Sequence, residues 1–315
     1  MAHRPVLALD IGGTKIGAGL VEPSGTVSHA TSRPTPNSGD GVAVWAAIQE
    51  MVTGMVEQAD GVVGAVGVAS PGPIDLATGT VSPVNIPGWR GFPLRDRVAA
   101  LVPGVPVRMA GDALCMALGE HRLGAGRGAR ALLGIVVSTG VGGGLVLDGA
   151  PYHGRTGNAG HVGHVVVDPD GQPCGCGGHG CVESIASGPA LVRWAQANGW
   201  AAPPGAAAVQ LAEAAAAGDA VAGAAFRRGA TALAAMIASV AAVCDLDLVV
   251  VGGGVARSGP LLFEPLRDAL ATRASLEFIR GVRVVQAALD GNAGLIGAAA
   301  LVNAVFGPQP LRRRT

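Results

Sequence analysis

An α/β fold is what this sequence predicts, and three observations carry the prediction. Short runs rich in Val, Ile and Leu, each bounded by glycine, read as buried strands. Longer stretches with helical periodicity lie between them, and that alternation is the mark of the α/β class. A strand–turn–strand pattern also occurs twice, as "DIGGTKIGAGLV" at 10–21 and "STGVGGGLVLDG" at 138–149. Two matching hairpins about one domain apart predict two related lobes.

In chain order, "VLALDIGG" (6–13) is the first strand and "IGAGLVE" (16–22) leaves the turn that follows it. The segment 41–59 places Val44, Ile48, Met51, Met55 and Val56 on one stripe, which makes it an amphipathic helix. "GAVGVAS" (64–70) is the next strand, and "DALCMALGEHRLG" (112–124) is a helix opened by an acidic cap. "ALLGIVVSTG" (131–140) and "GGGLVLDG" (142–149) form the second hairpin. Helices follow at 189–198 and, alanine-rich, within 206–243, before the last buried strand, "DLVVVGGGV" (247–255). The predicted organisation is an N-terminal lobe, 1–112, a larger lobe, 113–291, and a helix at about 292–306 that packs back on the first lobe. Residues 307–315 read as a tail.

Composition removes several classes of function. The 315 residues are enough for two lobes with real cores. Only 14% are charged, the formal net charge is zero and aromatic residues make up 3%. A nucleic-acid binder carries a basic face, and a single-strand binder carries stacking aromatics, so no nucleic-acid partner is expected. The cluster Arg312-Arg313-Arg314 reads as a solvated tail. The most apolar stretch, 229–255, is broken by Asp245 and Asp247 and reads as a buried helix and strand, with no membrane role. The N-terminus lacks the ordered parts of an export signal, so a cytoplasmic protein is expected. That compartment and the odd count of five cysteines argue against structural disulfides. Cys115 and Cys244 lie in apolar settings, where thiols pack as small hydrophobes.

Three glycine-rich turns follow buried strands. In the first, the N–H groups of Gly12 and Gly13 can face phosphate oxygens, Thr14 adds a hydroxyl and Lys15 follows. Asp10, at the strand end, is placed to hold the hydration shell of Mg²⁺. The second turn supplies Thr139, Gly140 and Gly142, and the third, with Gly253 and Gly254, opens a slot for an adenosine. No Walker A string occurs. A different loop, "DPDGQPCGCGGHGCVES" (168–184), packs Cys174, Cys176 and Cys181 into eight residues. Taken by itself, that spacing suits a disulfide staple, a redox site or a metal.

The strings "LALDIGGTK", "GVASPGPID", "VSTGVGGGLV", "GHVVVDPDGQPCGCGGHGCVES" and "VVVGGGV" together resemble the ROK family of bacterial sugar kinases and repressors, over roughly residues 6–300. The resemblance implies two ribonuclease-H-like lobes of the actin/hexokinase-like ATPase type, with sugar and ATP in the cleft between them. It implies a structural Zn²⁺ on His164, Cys174, Cys176 and Cys181, with His179 as the rival fourth ligand. It implies that Asp112 takes the proton of a sugar hydroxyl as ATP phosphorylates it; the simpler role for Asp112 is to cap the helix. Gly72, Asn85, Gly111, His161, His164 and Glu183 are the other implied sugar-facing positions.

Two positions depart from the family. Gly111 stands where an Asn is usual, and His161 stands where the "G-E-x-G-H" string has Glu. A side-chain amide is lost, and an anionic acceptor becomes a group that can donate, accept or carry charge. The expected substrate is therefore a modified or amino glucose, such as kanosamine, phosphorylated at its 6-hydroxyl. An ordinary glucokinase and a non-catalytic sugar sensor are the alternatives. A repressor is not expected, because the first strand starts by Val6 and leaves no room for a helix-turn-helix. A homodimer or homotetramer is implied by the resemblance.

Overall fold

A computed structural model describes residues 4–36 and 41–302. In chain order its elements are β1 (Val6–Ile11), β2 (Lys15–Val21), β3 (Val27–Pro34), α1 (Gly41–Gln58), β4 (Ala65–Ser70), β5 (Ile74–Asp75), β6 (Thr80–Val81), α2 (Leu94–Leu101), β7 (Val107–Gly111) and α3 (Asp112–Leu123). There follow β8 (Ala131–Val137), β9 (Val141–Leu147), β10 (Ala150–Tyr152), α4 (Glu183–Ala186), α5 (Gly188–Ala197), α6 (Ala208–Ala216), α7 (Ala220–Cys244), β11 (Leu248–Gly252), α8 (Pro260–Arg273), β12 (Arg283–Gln286) and α9 (Ala293–Ala300). The chain divides into two compact units. Unit 1 is Met1–Gly128, Gly144–Gly160 and Ala288–Thr315; unit 2 is Ala129–Gly143 and His161–Ala287.

The first sheet has the order β3-β2-β1-β4-β7. Every residue of β1 except Asp10 is buried, as a central strand covered on both faces must be. β2 runs antiparallel to β1, whereas β4 runs parallel to β1 and β7 parallel to β4. The register sets Asp10 beside Ala69, and Ser70 beside Gly111. Three parallel strands thus end along one edge, where α/β folds place ligands. On one face α1 buries Val44, Ile48 and Met51 in a core completed by Trp89, whose Nε1–H donates to the Gly41 carbonyl at 3.0 Å. On the other face lies α9, packed so closely that a methyl group on Gly67 would collide with the Ala298 carbonyl.

The second sheet, β10-β9-β8-β11-β12, has the same order as the first, third strand outward to fifth. β11 runs parallel to β8 and to β12, and β10 antiparallel to β9. The repeated hairpin in the sequence is thus the first two strands of each of two sheets built alike. In unit 2, α7 has its amino end capped by Asp219, which accepts from Val221 and Ala222. By length and composition α7 is the one described helix that satisfies the requirement for crossing a membrane; half of its most apolar window is buried, and it packs on α4, α5, α6 and α8.

The structure differs from the sequence reading in four places. The boundary drawn at 112/113 moves to Gly128, because α3 packs along α9: a methyl on Gly119 or Gly297 would strike the backbone of the opposite helix. Residues 144–160 also belong to unit 1, where Gly144 lies against Leu114 and Asn158 exchanges hydrogen bonds with the backbone of Ile74 (2.8 and 2.7 Å). Asp112 is the first residue of α3 and Gly111 its cap. The expected helix at 292–306 is α9, 293–300; residues 303–306 and the tail 307–315 lie outside the described residues.

Candidate functional site

In unit 1 the chemistry gathers where β1, β4 and β7 end. Between β1 and β2 the turn Gly12–Thr14 is closed by Gly12 N–H donating to the Lys15 carbonyl (2.8 Å). The Thr35 hydroxyl ties down the Gly12 carbonyl at 2.7 Å. The side chain of Asn85 lies over Gly13 so closely that a methyl there would push the Asn85 amide aside. Asp10 sits against the amino end of α9, where a methyl on Gly294 would overlap its carboxylate. Burial, and then the charge of Asp112, push the Asp10 carboxyl up to about 7, against the opposing pull of Lys15. Asp112 is part-buried, and its Oδ1 accepts the Ala113 N–H at 2.7 Å. Beneath the two carboxylates is Cys115, fully buried, whose thiol is held well up by burial and by both acids. The Gly12 N–H, expected to face phosphate, is thus taken by the turn itself, leaving the exposed Gly13 and Thr14; with two carboxylates and one ammonium beside them, the arrangement suits a hydrated divalent cation and a phosphate chain. Gly72, bonded to Pro73 through a cis peptide, follows β4, and a Cβ at Gly111 would meet open space.

In unit 2, Glu183 opens α4 and reaches under the turn between β8 and β9. Its Oε2 accepts the Val141 N–H at 2.8 Å and abuts Gly140. The thiol of Cys174 approaches Oε1 at 4.0 Å and His164 Nδ1 at 3.7 Å; Cys176 and Cys181 have their sulfurs 3.7 Å apart. All five cysteines are free thiols, and a sulfur–sulfur bond spans only about 2.05 Å. One donor atom from each of His164, Cys174, Cys176 and Cys181 lies within 4.8 Å of the other three. Zinc–sulfur bonds of about 2.3 Å in a tetrahedron set sulfurs about 3.8 Å apart, so the observed spacing fits that ion's edge. The loop is pre-shaped by its backbone. Cys174 N–H donates to the Gly178 carbonyl (2.8 Å), and Gly180, at φ +66°, lies where any Cβ would overlap the Asp168 carbonyl. His179 is outside the cluster, paired in a β-bridge with Pro173. His161 and His164 have ring centroids 6.5 Å apart.

Unit 2 also contains a cavity of about 580 Å³. Thr139, from the second glycine-rich turn, and Gly254, from the third, line it; Gly253, at φ +93°, is not in the lining and packs against the Val137 backbone. Pro189, Val192, Phe226 and Val255 supply apolar wall, and Arg193 and Arg257 supply cations. The sequence reading missed these because no motif marks them: they come from α5, α7 and the turn after β11 and meet only in the folded unit. It also missed Asn158, which pins its loop to β5. Asp10, Lys15 and Asp112 come together in unit 1, as do Asn85 and Gly13. The four metal-ligand candidates come together with Glu183 in unit 2.

Two mixed α/β sheets of one strand order, with paired carboxylates at the strand ends and a His–Cys₃ cluster whose spacing could hold a metal, place the chain among α/β proteins. The ROK family model matches residues 6–305, and the chain belongs to that family. It is 34% identical to a glucokinase of Thermotoga maritima, over 98% of this chain and 100% of that one. It is 37% identical to an N-acetylmannosamine kinase of Yersinia pseudotuberculosis, covering 93% of this chain and 96% of that one. Among solved structures, a ROK family glucokinase from Streptomyces griseus in complex with glucose and AMPPNP is 38% identical. It superposes with a TM-score of 0.82 over 94% of this chain and 98% of that one.

Proposed function

We propose that this protein is an ATP-dependent sugar kinase that phosphorylates the 6-hydroxyl of a hexose, built on two ribonuclease-H-like lobes. The observation that carries this reading is the carboxylate pair at the strand ends, Asp10 and Asp112, beside the turn whose exposed residues are Gly13 and Thr14. Relatives named as glucokinases and N-acetylmannosamine kinases over nearly the whole chain support it.

In this reading Asp112 accepts the proton of the sugar hydroxyl as that oxygen bonds to the γ-phosphorus and the bond to ADP breaks. Asp10 holds the water shell of Mg²⁺, which supplies charge neutralisation for the phosphates. Gly13, Thr14 and Lys15 face phosphate oxygens, with Thr139, Gly140 and Gly142 as the second set, whereas Gly12, whose N–H is taken by the Lys15 carbonyl, shapes the turn. The adenosine occupies the cavity lined by Thr139 and Gly254, next to Gly253. Gly72, Asn85, Gly111, His161, His164 and Glu183 contact the sugar. His164, Cys174, Cys176 and Cys181 hold a structural Zn²⁺. With Nδ1 of His164 turned to Cys174, its Nε2 is left to face the sugar, and the metal acts by fixing that ring.

The substrate we favour is a modified or amino glucose such as kanosamine. Space at Gly111 and a histidine at 161 support it. Glucose itself is the second reading, favoured by the relatives named glucokinase. A cytoplasmic homo-oligomer completes the proposal. The test is ADP release in a coupled assay over glucose, mannose, their N-acetyl forms and 3-amino-glucose, with ATP and Mg²⁺. Release with no sugar would overturn the kinase reading, and a preference for glucose would overturn the amino-sugar reading.

A further inference from the structure

Glu120, in the last turn of α3, has no exposed surface. Its carboxylate accepts three backbone N–H groups: Ala125 at Oε2 (2.8 Å), and Ala288 and Leu289 at Oε1 (2.9 and 2.8 Å). Its own carbonyl accepts two more, from Gly124 and Gly126, both at 3.0 Å. The ion pairs among the described residues, Arg33–Glu50 and Arg95–Asp96, do not include it. A carboxylate taken out of water persists only where hydrogen bonds replace its hydration. Here backbone amides from two stretches far apart in sequence do so.

Those stretches have a particular place in the chain. Residues 124–128 are where the chain leaves unit 1, and Ala288 is where it finally returns. Ala287 N–H still donates to the Val251 carbonyl at the end of β11 (3.0 Å), and the next amide turns to Glu120. A methyl on Gly124 would overlap Oε2, so the 124–126 turn closes around the carboxylate itself. A few residues beyond Leu289, Gly291 lies against the Lys15 ammonium and Gly294 against the Asp10 carboxylate. The position of 288–292 therefore sets where the amino end of α9 meets the phosphate turn.

We propose that Glu120 is a positioning residue for phosphoryl transfer. It clamps the 124–126 turn and the 288–289 backbone to one point, and so holds α9 in register against Asp10 and Lys15. Its functional meaning rests on the kinase reading; its geometry does not. Glu120→Gln is the informative variant, because the amide keeps one acceptor oxygen and turns an NH₂ towards a backbone N–H.

Hydrogen exchange on the full chain should show amides at 125 and 288–292 opening about 10–100-fold more often in Glu120→Gln, with β1 and β4 unchanged. Mn²⁺ binding in the presence of ADP, read by water-proton relaxation, should weaken by about tenfold. In turnover, half-saturating Mg²⁺ should rise by a similar factor while the KM for sugar stays within about twofold. Glu120→Asp, too short to reach both segments, should protect only one of them. Unchanged exchange at 288–292, or unchanged Mn²⁺ binding alongside a lowered melting temperature, would overturn the proposal and leave Glu120 a fold-stabilising group only. A wild type that releases no ADP with any sugar would sink the kinase reading instead, and the exchange and Mn²⁺ measurements would still decide the clamp.

Discussion

Replacing Asp112 by Asn separates the needs of the fold from those of the reaction. At the fold, three effects compete. Asn keeps an Oδ1 that can accept the Ala113 N–H, so the contact at 2.7 Å survives. An anion at the first residue of α3 is lost, which costs about 0.3–1 kcal/mol of helix-dipole interaction. Against that, the like charge that helps push Asp10 up to about 7 is removed, which stabilises the metal-free protein above that pH. The two terms oppose, so the net change at pH 8 should stay within about 1 kcal/mol, or roughly 2–4 °C in melting temperature for a chain of this size. At the reaction, losing a positioned base costs about 10²–10⁴-fold, or roughly 2.7–5.4 kcal/mol of barrier. The kinetic loss exceeds the stability change several-fold, so the two cannot be confused. Coupled ADP release and a thermal melt on the same preparation measure both. Turnover within a factor of about three of wild type would remove Asp112 from the mechanism.

Three further outcomes are expected. Chelating metal from the purified protein should release one zinc per chain and lower the melting temperature by about 5 °C or more, with Cys176→Ser binding zinc less tightly; metal-free protein with three freely titrating loop thiols would refute the assignment. The double variant Gly111→Asn, His161→Glu should shift the ratio of kcat/KM towards glucose, since Gly111 has room for the larger side chain; an unchanged ratio would count against a modified sugar. Because the Asp10 pKa is raised from 3.8 to about 7 on folding, the folded state binds its proton more tightly. Its contribution is fully present below 3.8 and is lost as pH rises through about 7, so metal-free protein should melt higher at pH 5.5 than at pH 8. An Asp10→Asn variant with the same pH dependence would show that another group is responsible.

Much of this protein was legible in one dimension because the signals are local. Gly-bounded apolar runs mark strands that must be buried on both faces, and the repeated hairpin announces two sheets of one order, since a strand–turn–strand unit is encoded by neighbours. The crowded cysteines likewise announce a cluster, because the eight residues that span Cys174 to Cys181 limit how far apart they can lie. What lay outside that reach depended on contacts distant in sequence. That His164 and not His179 lies within reach of all three thiols is decided only by the folded loop, in which the His179 backbone pairs with Pro173. That α3 belongs to unit 1 follows from glycines that let it approach α9, nearly 180 positions later in the chain. The cavity wall assembled from α5 and α7, and the Glu120 carboxylate bonded to Ala125 and Ala288, have no sequence signature at all. The sequence by itself determined the strands, their glycine turns and the kinds of side chain at their ends. Only the tertiary structure decided which of those ends share an edge and which buried charge finds its partners, because hydrophobic patterning acts over a few residues whereas packing and hydrogen-bond satisfaction act over the whole chain.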